Sequence, residues 1–365
     1  MKLIFVIKKL SDSAGGAERV LCSICNELSA RGHSITLISF DEAESRPFYV
    51  LNNSVKHIKL PIGDSSKPAT FYEVLLRSFA LRKVVIALNP DAVIGFMHSA
   101  FVPLAFTLVG LRIPIFASEH IVPAHYKGRR FQWLLFKMAV PFIKKITVLS
   151  DSIKATYPPS IQKKMVSLPN PVTPVISSIK RSYSDDVRTI VTVGRLDTQK
   201  DHETLIKAFK TLSYDFPELR LRIVGEGPLR SSLEHLIVSL GLELRVLLVD
   251  KTKSIHAVYD GAQIFVIPSR YESFGLVTAE AMSTGLPVVG FSDCPGTNEL
   301  IDHEDTGLLA NPDGLSRAEV LAENIKRLIL DSNLRKKLGE SARIKINSSY
   351  SLSKIADEWE SFLGV

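Results

Sequence analysis

Short apolar runs rich in β-branched residues alternate with helical patterns along this chain, and the whole alternation occurs twice. Strands that alternate with helices run in one direction, because each helix carries the chain back along the sheet; the fold class is α/β with doubly wound parallel sheets. In the first set, "LIFVI" leads into a Gly-containing loop, Ser11–Gly16, and a helical pattern to Arg31 that Gly32 closes before "SITLISF". Further strand-like runs are Ala92–Phe96, Ile113–Ser118, Ile146–Leu149 and Val166–Leu168. A Pro- and Ser-rich stretch at 168–186, "LPNPVTPVISSIKRSYSDD", reads as a linker. The alternation restarts with strands Thr189–Val193, Leu221–Val224, Val246–Val249, Ile264–Pro268 and Pro287–Gly290, the last taken to complete the sheet. Helices are expected around Glu203–Leu212, Leu229–Leu240 and Ile255–Tyr259, from Gly275, and through the tail from Ser316. The expected architecture is two Rossmann-like domains, 1–180 and 181–350, facing each other across a cleft, with ligands at the carboxyl ends of the strands.

A length of 365 residues exceeds what one core usually supports. At 45% hydrophobic and 23% charged the chain is globular, and three cysteines exclude a disulfide scaffold. Cys22 and Cys25 form a CxxC inside the helix-like "ERVLCSICNELSARG", but one pair falls short of a zinc site's ligand count, so helix packing is the expected role. Sparse cysteine fits a reducing, cytoplasmic compartment. The apolar run in "MKLIFVIKKL" is too short for a signal peptide, and the longest apolar stretch, Ala100–Ala117, is broken by Pro103, Arg112 and Pro114.

Charge is divided unevenly. Residues 1–180 hold 23 Lys and Arg against 11 Asp and Glu, whereas the remainder holds 22 against 27. A basic first half is expected to face something anionic: lipid, nucleic acid or a phosphorylated substrate.

Two constellations carry chemistry. In "PSRYESFGLVTAEAMSTGLPVVG", Glu272 and Glu280 flank the start of a helix, where free N–H groups of Phe274, Gly275 and Leu276 make an anion site. Carboxylates beside such amides suit a ligand with both hydroxyls and phosphates, although two solvated acids at a helix start account for the spacing equally well. In "VTVGRLDTQKDHETLIKAF", Gly194, Arg195 and Lys200 occupy the loop between a strand and a helix. Arg195 can fork two phosphate oxygens while Lys200 adds a point charge, enough to neutralise a diphosphate leaving group without a metal. No Asp-x-Asp occurs in the chain.

Taken together, "GGAER", "ASEH", "LPNPV", "VGRLDTQKD", "VGEGPLR", "PSRYESFGLVTAEAM" and "TGLL", in this order, resemble the family 4 retaining glycosyltransferases of the GT-B fold, the group 1 type. The resemblance spans nearly the whole chain and implies a metal-independent, retaining hexosyltransferase that needs no cofactor beyond its nucleotide-sugar co-substrate. It implies that Arg195 and Lys200 hold the donor diphosphate, that Glu272 contacts the donor sugar's hydroxyls, and that Glu280 binds the ribose. It further implies that the amides of Phe274, Gly275 and Leu276 contact sugar and phosphate, that His120 of "ASEH" lies near the reacting sugar, and that Gly15 and Gly16 approach the donor phosphate or acceptor. The terminal segment 351–365 is then a helix packing back toward the first domain. The chain departs from the pattern at Val249, where relatives carry glycine beside the base. "SDCPGTNELI" is similar to a segment of relatives that use UDP-hexoses or UDP-N-acetylhexosamines, with one residue fewer between Pro295 and Glu299; it makes UDP the expected nucleotide and Glu299 a further donor-site candidate. Such relatives build surface polysaccharide, lipopolysaccharide or O-antigen, which implies a glycan acceptor on undecaprenyl diphosphate.

The stretches "HYKGRRFQWLLFKMAVPFIKK" (His125–Lys145) and "LLRSFALRKVV" interleave basic and large apolar residues. One reading is a contact with the anionic cytoplasmic face of a membrane; the other is a core-facing helix with a solvated basic rim. Other functions stay open: a GT-B-fold nucleotide-sugar epimerase, a phosphorylase lacking a locatable cofactor lysine, or a non-catalytic polyanion- or membrane-binding protein. A dinucleotide dehydrogenase is disfavoured because "SAGGAER" is not GxGxxG, and no nucleic-acid-binding module is recognisable.

Overall fold

The structure, a computed structural model, describes residues 1–365 except 12–14, 65, 66, 68, 127, 174–180, 182, 184, 185 and 253. Much of the expected linker, and Lys127 of the basic stretch, therefore lie outside the described residues. The chain divides into two compact units, Met1–Pro171 with Leu352–Val365, and Val172–Ser351. The division falls before the boundary expected at Lys180.

The first unit is built on seven parallel strands: β1 (Lys2–Val6), β2 (Ser34–Ser39), β3 (Lys56–Lys59), β4 (Ala92–Phe96), β5 (Ile115–Ser118), β6 (Lys145–Val148) and β7 (Met165–Ser167), in the order β3-β2-β1-β4-β5-β6-β7. The central strands are buried on both faces, which is why they read as unbroken apolar runs. Its helices are α1 (Gly16–Ala30), α2 (Phe71–Leu88), α3 (His98–Thr107), α4 (Arg130–Ala139) and two short turns, α5 (Asp151–Ala155) and α6 (Pro159–Gln162). A capping box starts α2: Glu73 N donates to Thr70 Oγ1 at 3.3 Å and Thr70 N donates to Glu73 Oε2 at 2.6 Å. The strand expected from Ile113 begins at Ile115, after Pro114.

The second unit carries six parallel strands, β8 (Thr189–Val193), β9 (Arg220–Val224), β10 (Val246–Val249), β11 (Ile264–Val266), β12 (Val288–Phe291) and β13 (Leu308–Ala310), in the order β10-β9-β8-β11-β12-β13. Between and after them run α7 (His202–Asp215), α8 (Arg230–Ser239), α9 (Ile255–Asp260), α10 (Leu276–Ser283), α11 (Thr297–Leu300), α12 (Arg317–Leu330) and α13 (Ser332–Ser349). The sheet does not end at Pro287–Gly290 as expected: β13 extends it, and three residues are too few to show a period.

The last helix, α14 (Leu352–Leu363), belongs to the first unit. Its Trp359, 2% exposed, lies against Phe5 and Phe96, with ring centroids 6.1 and 6.4 Å away. Arg31, at the end of α1, fixes it by bonds to Asp357 (2.6 Å), Glu360 (2.8 Å) and the Ser353 carbonyl (2.7 Å).

Candidate active site

In each sheet the winding direction reverses at one place, between β1 and β4 in the first and between β8 and β11 in the second. Loops leaving the carboxyl ends of such strand pairs part and open a crevice. Ten of the twelve residues singled out from the sequence lie in the loops and helices that follow three of these strands, β1, β8 and β11; His120 follows β5 and Glu299 follows β12.

At the second crevice, Lys200 after β8 meets Glu272 after β11. Lys200 Nζ is 2.5 Å from Glu272 Oε1, with side chains 15% and 8% exposed. Ser269 Oγ donates to the same oxygen at 2.6 Å, so both bonds fall on Oε1. The two loops are stitched together: Arg270 N donates to the Gln199 carbonyl, and Gln199 Nε2 to the Tyr271 carbonyl, each at 2.9 Å. Asp201 strengthens the seam through Arg270 Nε at 2.7 Å. Lys200 N donates to Asp197 Oδ1 (3.1 Å), which closes the loop on itself.

Gly194 lets the Lys200 stem pass over it, since a Cβ there would sit 3.1 Å from Lys200 Cδ. Gly225, in "VGEGPLR", allows a closer approach: its Cβ would lie 1.9 Å from the Gly194 carbonyl oxygen. Arg195 differs from Lys200. Its side chain is 71% exposed, and its Nε lies 3.7 Å from Asp197 Oδ2.

Gly275 precedes α10 in the left-handed region (φ 84°), a conformation in which side chains are strained. The turn leaves the first amides of α10 beyond the reach of an intrahelical acceptor. The Phe274 ring is buried and meets Tyr350 edge-on at 5.6 Å, so only its backbone faces the loop chemistry. Glu280 is buried on α10, its Oε2 3.0 Å from the Tyr259 hydroxyl. Glu299 is half-buried on α11, and its carbonyl accepts from Lys345 Nζ at 3.3 Å.

In the first unit, Gly15 caps α1 in an extended conformation and Gly16 opens it. His120 is buried, and burial pushes its pKa down to about 3, so the ring is neutral near pH 7. Thr147 Oγ1 donates to Ser118 Oγ at 2.9 Å, and Ser118 Oγ lies 2.9 Å from His120 Nε2. With Ser118 accepting from Thr147, a Ser118 proton donated to Nε2 would put the ring proton on Nδ1.

Sequence reasoning missed four partners: Ser269, Tyr259, Glu119 and Met97. Tyr259 acts through a carboxylate that the fold brings to it, whereas Ser269, three residues before Glu272 in the same loop, meets its carboxylate locally. Glu119 accepts from the amides of His120 and Ile121 and from the Tyr126 hydroxyl, and burial raises its pKa to about 8. Met97, directly after β4, has φ 70° and ψ 152°, a combination that costs about 1–3 kcal/mol outside glycine. A further cavity of about 670 Å³ lies behind the Lys200 loop, lined by Asp197, Asp201, His202, Leu229, Leu233 and Arg270. Among the described residues, no group of three or more His, Cys, Asp or Glu could hold a metal ion.

The chain matches known proteins along nearly its whole length. A model described as "Glycosyltransferase Family 4" matches residues 14–174, and one described as "Glycosyl transferases group 1" matches residues 177–345. In fold, the chain is similar to the sucrose-phosphate synthase of Thermosynechococcus elongatus (TM-score 0.85, 20% identity, 99% of this chain and 98% of that one). It is also similar to Anabaena HepE in complex with UDP and glucose (TM-score 0.77, 19% identity, 100% and 99%). In sequence it is 28% identical, over 98% of its length and 97% of the relative's, to the GalNAc-alpha-(1->4)-GalNAc-alpha-(1->3)-diNAcBac-PP-undecaprenol alpha-1,4-N-acetyl-D-galactosaminyltransferase of Campylobacter jejuni. The fold is that of the GT-B glycosyltransferases. Within that class, the chain belongs to the group 1, family 4 glycosyltransferases.

Proposed function

We propose that this glycosyltransferase moves a hexose or N-acetylhexosamine from a UDP-sugar, with retention and without a metal, to a glycan on undecaprenyl diphosphate at the cytoplasmic face of a membrane, in surface-polysaccharide, lipopolysaccharide or O-antigen assembly. The observation that carries the reading is the Lys200–Glu272 pair at the β8/β11 crevice. As the bond from the sugar's anomeric carbon to the phosphate oxygen breaks, charge builds on the diphosphate. Lys200, the exposed Arg195 guanidinium and the first amides of α10 take up that charge, so the chemistry does not require a cation from solution. Lys200 and Ser269 hold Glu272 through Oε1, which leaves Oε2 to accept from a donor-sugar hydroxyl. Glu280, braced by Tyr259, accepts from the ribose. The acceptor oxygen bonds to the anomeric carbon from the face the diphosphate leaves, and its proton passes to a phosphate oxygen. His120, neutral with its proton on Nδ1, serves as a hydrogen-bond donor to the sugar rather than as a base.

What relatives bind supports the acceptor and nucleotide in this reading: an undecaprenol-diphosphate glycan in the name of the Campylobacter enzyme, and UDP in the HepE complex. The test supplies UDP-glucose, UDP-galactose, UDP-N-acetylglucosamine and UDP-N-acetylgalactosamine with a synthetic undecaprenyl-diphosphate oligosaccharide, with and without chelator. One UDP-sugar should give an α-linked product at a rate indifferent to chelator. Transfer from GDP- or ADP-sugars alone, an inverted product, or loss of activity in chelator would each overturn the corresponding part.

A further inference from the structure

The crossovers from β3 to β4, β4 to β5 and β5 to β6 all run the same way across the first sheet, so the right-handed rule places α2, α3 and α4 on one face. The contacts agree. Arg82 on α2 donates to the Thr107 and Val109 carbonyls at the end of α3, at 2.6 and 3.0 Å. Phe101 on α3 meets Phe136 on α4 at 5.7 Å, and Phe106 meets Phe142 at 6.1 Å. α2 and α4 each bury one side and leave the other to solvent, and α3, which touches both, is largely buried.

The solvent side is not what a solvated layer normally shows. On α2, Phe71 is 80% exposed and Phe79 73% exposed, with Tyr72, Leu75 and Ile86 along the same stripe; on α4, Phe131 is 71% exposed, followed at helical spacing by Leu134 and Met138. Single exposed apolar residues are ordinary, but stripes of large apolar side chains on two helices of one layer are the kind of exposed patch that marks an interaction site. Its charge identifies the occupant. Exposed cations Lys83, Arg112, Arg129, Arg130, Lys137 and Lys144 rim the layer, and residues 71–145 hold ten Lys and Arg against three Asp and Glu. Of those three acids, Glu119 is buried, Glu73 is tied into the cap of α2 and Asp91 binds the Lys2 amide at the far end of the sheet. Among the described residues, no helix is long and apolar enough to cross a membrane.

We infer that the face of the first unit carrying the exposed sides of α2 and α4 docks on an anionic lipid bilayer, its aromatics entering the interface and its cations facing the headgroups. Aromatic side chains favour the headgroup boundary, and each nearby Lys or Arg adds to binding while salt screens it. This rests on the reading that the acceptor is membrane-held, and it names the surface that would bring the enzyme to it.

The test is flotation of the full chain with phosphatidylcholine vesicles and with vesicles containing phosphatidylglycerol, at low and high salt. Wild type should float with the anionic vesicles only, and less so in high salt. Phe79→Ser with Phe131→Ser, and separately Lys83→Gln with Lys137→Gln, should each weaken binding by on the order of tenfold. These side chains face solvent, so melting temperatures and stabilisation by UDP should stay at wild-type values. Wild type that fails to float, or that floats no better than both variants, overturns the inference. So does a dimer that dissolves in the Phe79→Ser, Phe131→Ser variant without any lipid binding, because the face would then be a contact between two copies. Flotation failing while UDP still stabilises the chain condemns the docking face alone; flotation succeeding without any UDP effect condemns the transferase reading instead.

Discussion

Lys200 Nζ rests 2.5 Å from Glu272 Oε1, although the two residues are 72 positions apart and reach each other from separate strands. Both side chains are largely withdrawn from water, so each neutralises a charge that would be costly alone. Lys200→Ala strands the carboxylate beside Ser269. It should lower the melting temperature, and it should cut kcat/KM by about 10²–10³, the usual loss on removing one transition-state charge partner. Glu272→Gln in the same chain should recover much of the lost stability but none of the activity. A double variant no more stable than Lys200→Ala would show that the pair carries no such coupling.

Arg195 tests the opposite situation. Its side chain is 71% exposed and its neighbour Asp197 is 3.7 Å away, so the folded state gains little from it. Arg195→Ala should leave the melting temperature within about 2 °C of wild type while lowering kcat/KM by at least about tenfold. Arg195→Lys should recover only part of that loss, because an ammonium cannot fork two phosphate oxygens. Steady-state kinetics beside a thermal melt decide it, and unchanged kinetics in Arg195→Ala would remove this residue from the diphosphate site.

The long-period features of the molecule were legible in the sequence. The central strands, buried on both faces, wrote themselves as apolar runs such as "LIFVI" and "TIVTV", and α1 announced its end with Gly32. Edge strands did not: "KHIK" of β3 is only half-buried, and "LLA" of β13 is three residues long. In the second unit Lys200 and Glu272 stood out because each lies in a loop between a strand and a helix, in motifs that resemble a known family. Tyr259 could not stand out, since its role is fixed only when α9 comes to lie against α10. Ser269, three residues before Glu272, takes its role from the way the loop after β11 folds back on itself. The basic stretch illustrates a subtler limit. Composition alone left core packing and lipid contact equally good, whereas the fold turns Phe136 of that helix inward and leaves Phe131 of the same helix exposed.

The motif "VGEGPLR" makes a steric prediction. A methyl group on Gly225 would stand 1.9 Å from the Gly194 carbonyl oxygen, and backbone cannot swing aside as a side chain can. Gly225→Ala should therefore cost at least about 3 kcal/mol and displace the loop that carries Lys200. Gly241 supplies the control: its φ is 65° but nothing lies within 4 Å of its Cβ, so Gly241→Ala should cost only about 1 kcal/mol. Urea unfolding of the two variants separates the cases, and equal losses would mean the close approach of the two loops is wrong.

The adjacent residues Glu119 and His120 titrate in opposite directions. Burial raises the Glu119 carboxyl to about 8, above the value of about 4.5 it has when unfolded, so the native state keeps a proton the unfolded chain releases. Stability from this group is whole below about pH 4.5 and drains away as pH rises toward 8. Burial lowers His120 to about 3, so here the unfolded chain is the one that takes up a proton, and stability falls as pH drops from about 6.5 toward 3. Glu119→Gln keeps an oxygen for the His120 and Ile121 amides and an amide group near the Tyr126 hydroxyl, while removing the titration. Its melting temperature should match wild type near pH 5 and exceed it by several degrees near pH 8.5, with the acid-side decline from His120 unchanged. A constant offset between the two proteins across the whole pH range would mean that Glu119 is already ionised in the folded chain, and that its three donors outweigh its burial.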